Sequence, residues 1–467
     1  MKKTAGFVLA IVLLVAASFG QSLGNGAQVA ESDGKLRWSQ CAFGPDGVLH
    51  VIYGDDTDTG DSIWYVNFNG STSSTPLALT PSGMRGTRPG IGVNRKGSVI
   101  AAWGTGADKG IYMRIYNPQT KTWGATEAVE IGYGFEEPAP VLDDIGNIYV
   151  FWSDANGYAY TRLKINGVWE NHVRMTAGYG KQGGITVGTD GWIWTVWREK
   201  IGSNYKNFWS KRTKTTAWTG ATILTSGGGS SSHPIITVGP NNVPVVVWGD
   251  IDQALENGCE VKLMRPGIDT TRELLIPFAM QHYPRVAVDA NNKIHVALQL
   301  GGGDYGDGFR YTNNVTGSWS PVQTILGSLP KLPGISADPF GNVAVCQTSY
   351  VTATNKTKVH IYSLTALSLH YFYPPTSPAS TIQTKGVRKV PEVSYSLSWA
   401  ANPLNNDQYL QGYVIYVKEG TGAYQPLLTV NKATFTALFK YTDLSKKRRF
   451  AITTLAVGGG ESDLVEF

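Results

Sequence analysis

The chain has 467 residues, of which 16% are charged, and a formal net charge of only +5. No long basic tract interleaves with aromatic residues, so the chain lacks the electrostatic footprint of a nucleic-acid-binding protein. Three cysteines are too few for a disulfide framework, whereas 55 glycines, 14 tryptophans and 23 tyrosines are typical of an all-β chain with glycine turns. We therefore expect an all-β protein that is stabilised by core burial.

Residues 1–20 predict a cleaved secretory signal peptide. Lys2 and Lys3 form a charged start, residues 7–17 are apolar, and residues 18–20 provide a small-residue cleavage context. The apolar run is too short to span a bilayer, and no cysteine follows the predicted cleavage site. The sequence therefore predicts an exported protein, secreted or periplasmic, without a membrane span or a lipid anchor.

A short sequence motif, here called the repeated phrase, occurs seven times between residues 46 and 347. Each copy is a turn-forming pair followed by an apolar strand, and the Gly or Asn of the turn stands at positions 47, 97, 146, 191, 242, 292 and 341. The residue that closes each strand lies six positions later and is usually aromatic: Tyr53, Trp103, Trp152, Trp197, Trp248, Leu298 and Gln347. Gly and Asn are favoured there because a tight turn requires a positive φ. A fixed period of 45 to 51 residues indicates stacked or radially arranged β units.

The second unit shows the internal order most clearly. Residues 88–93, 98–103, 111–116 and 127–130 alternate or run apolar as four short strands, separated by turns. Four antiparallel strands with such turns are typical of one propeller blade. We therefore predict a seven-bladed β-propeller over residues 27–365.

Closure of the propeller is predicted from its two ends. The seventh unit lacks a fourth strand, while Ala27 to Glu31 form a strand that precedes the first unit and belongs to none. Donating this strand to the seventh unit would close the circle and remove an open sheet edge. A linear solenoid is the alternative.

The C-terminal part has a different composition. A Pro/Ser-rich linker is predicted over residues 366–392, followed by strands at the spacing of a β-sandwich. Residues 393–467 resemble a fibronectin type III domain through Trp399, the run 413–416, and Leu444 followed six residues later by Phe450. The family usually has Tyr where Phe450 stands. The resemblance implies an immunoglobulin-like β-sandwich that serves as a spacer or an adhesive module.

The repeats resemble the Asp-box (BNR-like, sialidase-type) propellers of secreted carbohydrate-active proteins. The tryptophan of the box is present at positions 123, 169, 218 and 319, and the nearest copy of the whole box is residues 312–319. In that family the box is a structural turn away from the active site, so the resemblance implies fold, and function only by association. The chain has no Phe-Arg-Ile-Pro motif and no recurring arginines, so sialidase activity is not expected.

The candidate site consists of the residues just before the first strand of each unit. In a propeller this strand lines the central channel, so these residues should surround one mouth of it. The predicted ligand-binding residues are Trp38, Arg88, Glu137, Gln182, His233, His282, Tyr283 and Lys331. The alternative explanation is that these residues are polar only because the mouth of a propeller channel is exposed to solvent.

We weigh three functions for this mouth. The first is recognition, without catalysis, of an extracellular polysaccharide or of a cell-surface glycan or protein by a monomer. The second is a carbohydrate-active enzyme, a polysaccharide lyase rather than a glycoside hydrolase. In a lyase His233 and Tyr283 would transfer protons, while Arg88 neutralises the substrate carboxylate. The third is a structural or adhesion scaffold.

No cofactor is expected, with one exception. Asp56, Asp58 and Asp61 lie in an acidic loop whose oxygens would suit a structural calcium ion, although Asp-rich hairpin tips also occur for turn reasons alone. Cys41 and Cys346 would meet if the first and last units are neighbours, either as a disulfide or as buried free thiols.

Overall fold

The computed structural model describes residues 22–467 apart from 58–59, 106–109, 133–134, 226–229, 252–258, 271–272, 280, 301–307, 328–331, 352–353, 368, 370–371, 386–391, 406, 444 and 458. The predicted signal peptide lies outside the described residues. Within them the regular structure is β, apart from one 3₁₀ turn at Asp407–Tyr409. In the same part of the chain there is no long apolar helix of the kind that spans a membrane. The predicted all-β class is confirmed.

The first half of the chain forms antiparallel sheets in which the first three strands pair in chain order; the third strand then pairs with the fourth and, in sheets 2 and 3, with a fifth as well. The first strand, β1 (Ala27–Ser32), stands apart from them. Sheet 1 contains β2 (Lys35–Phe43), β3 (Leu49–Thr57), β4 (Gly60–Phe68) and β5 (Leu77–Ala78). Sheet 2 contains β6 (Thr87–Val93), β7 (Val99–Thr105), β8 (Gly110–Asn117), β9 (Thr122–Trp123) and β10 (Glu127–Ile131). Sheet 3 contains β11 (Phe135–Leu142), β12 (Ile148–Asp154), β13 (Ala159–Ile165), β14 (Val168–Trp169) and β15 (Val173–Arg174).

Four more sheets follow the same plan. Sheet 4 contains β16 (Gly183–Val187), β17 (Ile193–Ile201), β18 (Asn204–Arg212) and β19 (Thr222–Ile223). Sheet 5 contains β20 (Ser230–Val238), β21 (Pro244–Ile251), β22 (Cys259–Met264) and β23 (Glu273–Ala279). Sheet 6 contains β24 (Gln281–Val288), β25 (Ile294–Leu300), β26 (Gly308–Asn313) and β27 (Gln323–Leu326). Sheet 7 contains β28 (Gly334–Ala337), β29 (Val343–Val351), β30 (Lys356–Ser363) and β1.

The first strands of the seven sheets, here called the inner strands, converge on one axis. Each inner strand contacts the inner strand of the next sheet, and β28 contacts β2, so the sheets form a closed circle in the described part of the chain. The closure depends on β1, which pairs antiparallel with β30 from Ala27↔Ile361 to Ser32↔Thr357. The predicted donation of the N-terminal strand is therefore confirmed.

Packing between neighbouring sheets supplies the core. A separate apolar cluster fills each junction around the circle, from the junction of sheets 7 and 1 to that of sheets 6 and 7. The residues that close the repeated phrase belong to this buried set, and Trp103, Trp152, Trp197 and Trp248 are at most 1% exposed. The repeat therefore places one large side chain in each of four junctions.

The hairpin between the first and second strand of each sheet contains the repeated turn. All seven predicted turn positions have positive φ, between 57° at Asn292 and 92° at Gly341. These hairpins lie together at one end of the channel, here called the turn face. The φ requirement explains why Gly or Asn recurs there.

The C-terminal part forms two facing sheets. One contains β31 (Thr376–Lys385), β32 (Glu392–Ala400) and β35 (Thr436–Tyr441). The other contains β33 (Leu410–Glu419), β34 (Gln425–Asn431), β36 (Arg448–Ala456) and β37 (Val465–Glu466). Trp399, Tyr413 and Phe450 pack together between them. Because β31 lies within residues 366–392, the prediction that this whole segment is a linker is wrong.

Cys41 and Cys346 meet at the junction of sheets 7 and 1, as the sequence predicted for neighbouring units. Both are buried free thiols. Burial, together with the neighbouring Cys346, raises the pKa of the Cys41 thiol. The structure therefore contains two thiols rather than a disulfide at this junction.

Equivalent aspartates in the hairpins of sheets 6 and 7 have opposite electrostatic environments. Asp338 is 2% exposed, and burial raises its pKa to about 6 although it accepts hydrogen bonds from Asn342. Asp289 has a lowered pKa: its own burial is the largest single influence and opposes the shift, but the hydrogen bonds from His295, at 3.3 Å, and from the Lys293 and Asn291 N–H groups together outweigh it. The two hairpins should therefore respond to pH in opposite directions.

We predict opposite pH profiles for Asp338→Asn and Asp289→Asn. Asp338 binds a proton more tightly in the folded chain, so its contribution is present below the pKa of the unfolded chain and is lost as pH rises through about 6. Asp338→Asn should therefore gain stability relative to wild type between pH 4 and pH 7, by about 2–3 kcal/mol for a shift of about two units. Asp289→Asn should lose stability at pH 7, with a deficit that shrinks as pH falls below about 4. Urea unfolding at about pH 3, 4 and 7 measures this, and parallel profiles of the two variants would contradict it.

Candidate functional site

Seven residues in the left-handed backbone region surround the channel mouth that lies opposite the turn face. Each stands within the first four residues of an inner strand or in the two residues before it, and we call them the mouth residues: Trp38, Arg88, Glu137, Gln182, His233, Tyr283 and Leu332. Their φ values lie between 40° and 60°. The inner strands of sheets 1, 2, 3, 5 and 6 shift register at this point. Each mouth residue is therefore turned out of the regular sheet pattern.

A left-handed conformation is costly for residues other than glycine, on the order of 1–3 kcal/mol each. Side chains from the preceding sheet hold two of these backbones in place. The Gln182 N–H donates to Ser153 Oγ at 3.0 Å, and the Leu332 N–H donates to Gln299 Oε1 at 3.3 Å. Ser153 and Gln299 both follow the residue that closes the repeated phrase. The same repeat therefore builds the core and supports the mouth.

The mouth residues line a cavity at the head of the channel. Its volume is about 300 Å³, and its lining includes six of them: Trp38, Arg88, Glu137, Gln182, His233 and Leu332. This volume is at the lower end of the range for small-molecule sites, roughly 300–1,000 Å³. Deeper in the channel the wall is mainly backbone and small or apolar side chains such as Gly90, Gly184 and Ile235.

On one side of the mouth a cation lies between an aromatic side chain and a carboxylate. Arg88 Nη1 lies 3.3 Å from Glu137 Oε1, with side-chain exposures of 32% and 24%. The Arg88 guanidinium also lies 5.9 Å from the Trp38 ring centroid, and Arg37 lies 5.6 Å from the same centroid. These distances are at the outer limit of cation–π contact, about 6 Å. Trp38, Arg88 and Glu137 therefore form one connected group.

On the other side three mouth residues form a second group. The side-chain amide of Gln182 hydrogen-bonds Nε2 of His233. The His233 ring contacts the Tyr283 ring edge-on, with centroids 4.0 Å apart. His233 is 8% exposed, so this imidazole lies at the wall of the cavity rather than free in solvent. The structure brings His233 and Tyr283 together and places Arg88 in the other group.

Two arginines near the mouth were missed by the sequence analysis. Arg285 lines the cavity, and burial lowers its pKa against the opposing influence of Glu137 and Tyr283. Arg198 lies over the ring of Tyr205, 4.4 Å from its centroid, and burial lowers its pKa too. The sequence contained a signal for Arg285, because it is the one charged residue at its position in the seven repeats. The equivalent residues of the other sheets are Gln40, Gly90, Ala139, Gly184, Ile235 and Gly334.

Several predicted residues fall where the structure gives no side-chain description. Lys331 lies outside the described residues, and the mouth residue of sheet 7 is its neighbour Leu332, which is apolar. The side chain of His282 is not described either. The predicted calcium site is not described either, because Asp58 and the side chains of Asp56 and Asp61 lie outside the described part of the chain. Elsewhere in the described part of the chain no three His, Cys, Asp or Glu residues are placed to hold a metal ion.

The turn face is partly covered by the C-terminal sandwich. Phe340, in the hairpin of sheet 7, contacts the ring of Tyr409 with centroids 5.1 Å apart. Gly460 lies against Pro45 of sheet 1, and Gly459 lies against Arg95 of sheet 2. The mouth residues lie at the other end of the inner strands, so the sandwich does not cover them.

One solved structure, with a TM-score of 0.50, supports the overall fold, and two weaker likenesses are reported beside it. The structure of a fungal alcohol oxidase of the AA5 family, in complex with copper, covers 96% of this chain and 99% of its own, at 12% identity and a TM-score of 0.50. A protein of unknown function from Dyadobacter fermentans covers 73% of this chain and 98% of its own, at 11% identity and a TM-score of 0.48. A polysaccharide lyase of family PL25, an ulvan lyase, covers 71% and 95%, at 10% identity and a TM-score of 0.48. No protein-family model and no curated protein sequence matches the chain.

We predict that Arg88→Gly is more stable than Arg88→Ala, by about 1 kcal/mol. Both variants lose the contacts with Glu137 and Trp38, but only Gly adopts the left-handed backbone at φ 48° without strain. At Arg114, in regular strand β8, the order should reverse, because Gly weakens a strand interior. Chemical unfolding of the four variants measures both differences. If Arg88→Ala proved more stable than Arg88→Gly, as expected for the Arg114 variants, the left-handed backbone at Arg88 would be contradicted.

Proposed function

We propose that this chain is an exported recognition protein that binds a glycan at the channel mouth. The observation that carries the proposal is the cavity of about 300 Å³ lined by Trp38, Arg88, Glu137, Gln182 and His233. Non-glycine residues in strained backbone conformations persist mainly where function requires the geometry, and ligand clamps are one such place. Mixed aromatic and charged linings suit sugars, which present apolar faces and hydroxyl groups together.

The proposal includes the architecture. The closed circle of sheets over residues 27–365 supports a seven-bladed β-propeller, with β1 completing the last blade. The two-sheet C-terminal part supports a fibronectin type III-like sandwich over residues 393–467, extended at its start by β31. Export follows from the charged and apolar start of the sequence, residues 1–20. His282 and Lys331 remain predicted ligand residues of this mouth.

The first test is a binding screen of the full chain against neutral and acidic polysaccharides, followed by calorimetry on any that bind. Trp38→Ala should weaken binding about tenfold or more, because it removes the large aromatic surface at the mouth. Trp192→Ala is the matched control, since Trp192 lies at the turn face beside Lys211. Equal losses in both variants, or no binding by the wild type, would overturn the proposal.

Polysaccharide lyase activity is the second candidate, because His233 and Tyr283 are in direct contact. In such a reaction a base removes the proton beside the uronate carboxylate, the C4–O bond breaks as a C4=C5 double bond forms, and an acid protonates the departing oxygen. His233 and Tyr283 would share the two proton transfers, and Arg88 would stabilise the charge that develops on the carboxylate.

The absorbance of the unsaturated product distinguishes a lyase from a binding protein. If the chain is a lyase, His233→Ala and Tyr283→Phe should each reduce the rate by about 100-fold or more. Both variants should still bind polymer, because the Trp38 and Arg88 group is intact in them. Binding without product in the wild type excludes this candidate, and neither binding nor product favours a scaffold.

A further inference from the structure

Arg285 is a half-buried cation in the channel without a carboxylate in ion-pair contact among the described residues. Its hydrogen bond in that part of the structure runs from Nη1 to the carbonyl oxygen of Pro284, at 3.2 Å. The guanidinium is only partly exposed, and it lines the cavity below the mouth. A guanidinium carries five N–H donors in a planar fork, so most of its hydrogen-bonding capacity is available to a ligand.

The position of Arg285 is unusual within the repeat. It lies two residues after the mouth residue Tyr283, where three of the other sheets carry glycine and a fourth carries Ala139. At two of these glycines a neighbouring strand packs against the backbone: a Cβ at Gly90 would collide with the carbonyl oxygen of Pro138, and one at Gly334 with Cys346 Sγ. Gly90 and Gly184 line the same cavity as Arg285.

Charges near the mouth are unbalanced in favour of cations. Glu137 is the carboxylate shared by the group: it pairs with Arg88 at 3.3 Å, and it acts electrostatically on both Arg198 and Arg285. Among the described side chains at the mouth, this one carboxylate therefore acts on three guanidinium groups. Low-dielectric channel walls strengthen the field of such a cluster and raise the local concentration of anions.

We propose that Arg285 binds an anionic group of the saccharide, with the ligand inserted through the mouth so that its oxyanion meets the guanidinium fork. This inference rests on the proposed function and names its ligand class as an acidic glycan. Recognition would consist of hydrogen bonds from the planar guanidinium to the oxygens of an anionic group, and both carboxylates and sulfates can accept them. Trp38 and the Arg88–Glu137 pair then contact the part of the glycan that stays at the rim.

The test compares matched polymers on the full chain by calorimetry. The probes are polygalacturonate and polyglucuronate, each beside its carboxyl-reduced neutral form, and dextran beside dextran sulfate. Wild type should prefer the charged member of at least one pair. Arg285→Gln should weaken binding of that polymer about tenfold and leave binding of its neutral form unchanged. Arg265→Gln is the charge-matched control, because Arg265 lies on the surface, paired with Asp269.

Folding is monitored separately by the thermal midpoint without ligand. Arg285→Gln removes a half-buried charge that has no ion-pair partner among the described residues, so its midpoint should not fall. If the midpoint does fall, Arg285→Lys, which keeps the charge but not the planar fork, should show an intermediate loss of affinity. Free galacturonate or sulfate should raise the wild-type midpoint and leave that of Arg285→Gln unchanged.

The outcomes separate the two proposals. Equal binding of charged and neutral polymers would overturn the role of Arg285 and leave glycan recognition in place. A charge preference that survives Arg285→Gln would overturn it as well. Stabilisation by the free anions without binding of any polymer would leave the anion site in place and overturn glycan recognition. Absence of all these signals would overturn both.

Discussion

Burial of apolar side chains between neighbouring sheets is the interaction on which the rest of this structure depends. A single sheet of four short strands buries too little surface to be stable alone, so each sheet needs a neighbour on both faces. Every junction around the circle contains its own cluster. Because the sheets pack face to face, their inner strands converge, and a channel with a defined mouth is the geometric result. The mouth residues owe their proximity to packing that involves none of them.

The sequence predicted the features that local backbone chemistry dictates. Gly47 and Asn242 recur at their turn because few other residues adopt positive φ there, and Trp103 and Trp248 recur because each junction needs a large side chain. These requirements are local and periodic, so one sequence suffices to detect them. The mouth residues followed from the same period, since each stands at a fixed distance before its turn.

The features that the sequence analysis did not predict have separate causes. In sheet 7 the left-handed position belongs to Leu332, next to the predicted Lys331, and the Pro that follows Leu332, as it follows Arg88 and His233, marks this position in the sequence. Residues near Pro378 resembled a linker, yet β31 is an edge strand with an irregular start, where proline is tolerated. Arg285 and Arg198 were missed because their importance depends on which charges face them across the channel, and no pattern along one strand contains that information.

The pairing of β1 with β30 joins residues more than 300 positions apart in the chain, as in Ala27↔Ile361. Such a contact forms late, because its loop-closure entropy is large and β30 is the last strand of the circle to be synthesised. Until residue 363 has left the ribosome, β1 has no partner and β30 does not exist. A nascent chain of this design therefore cannot close its circle of sheets until β30 has been synthesised, and its earlier sheets stay accessible to chaperones until then.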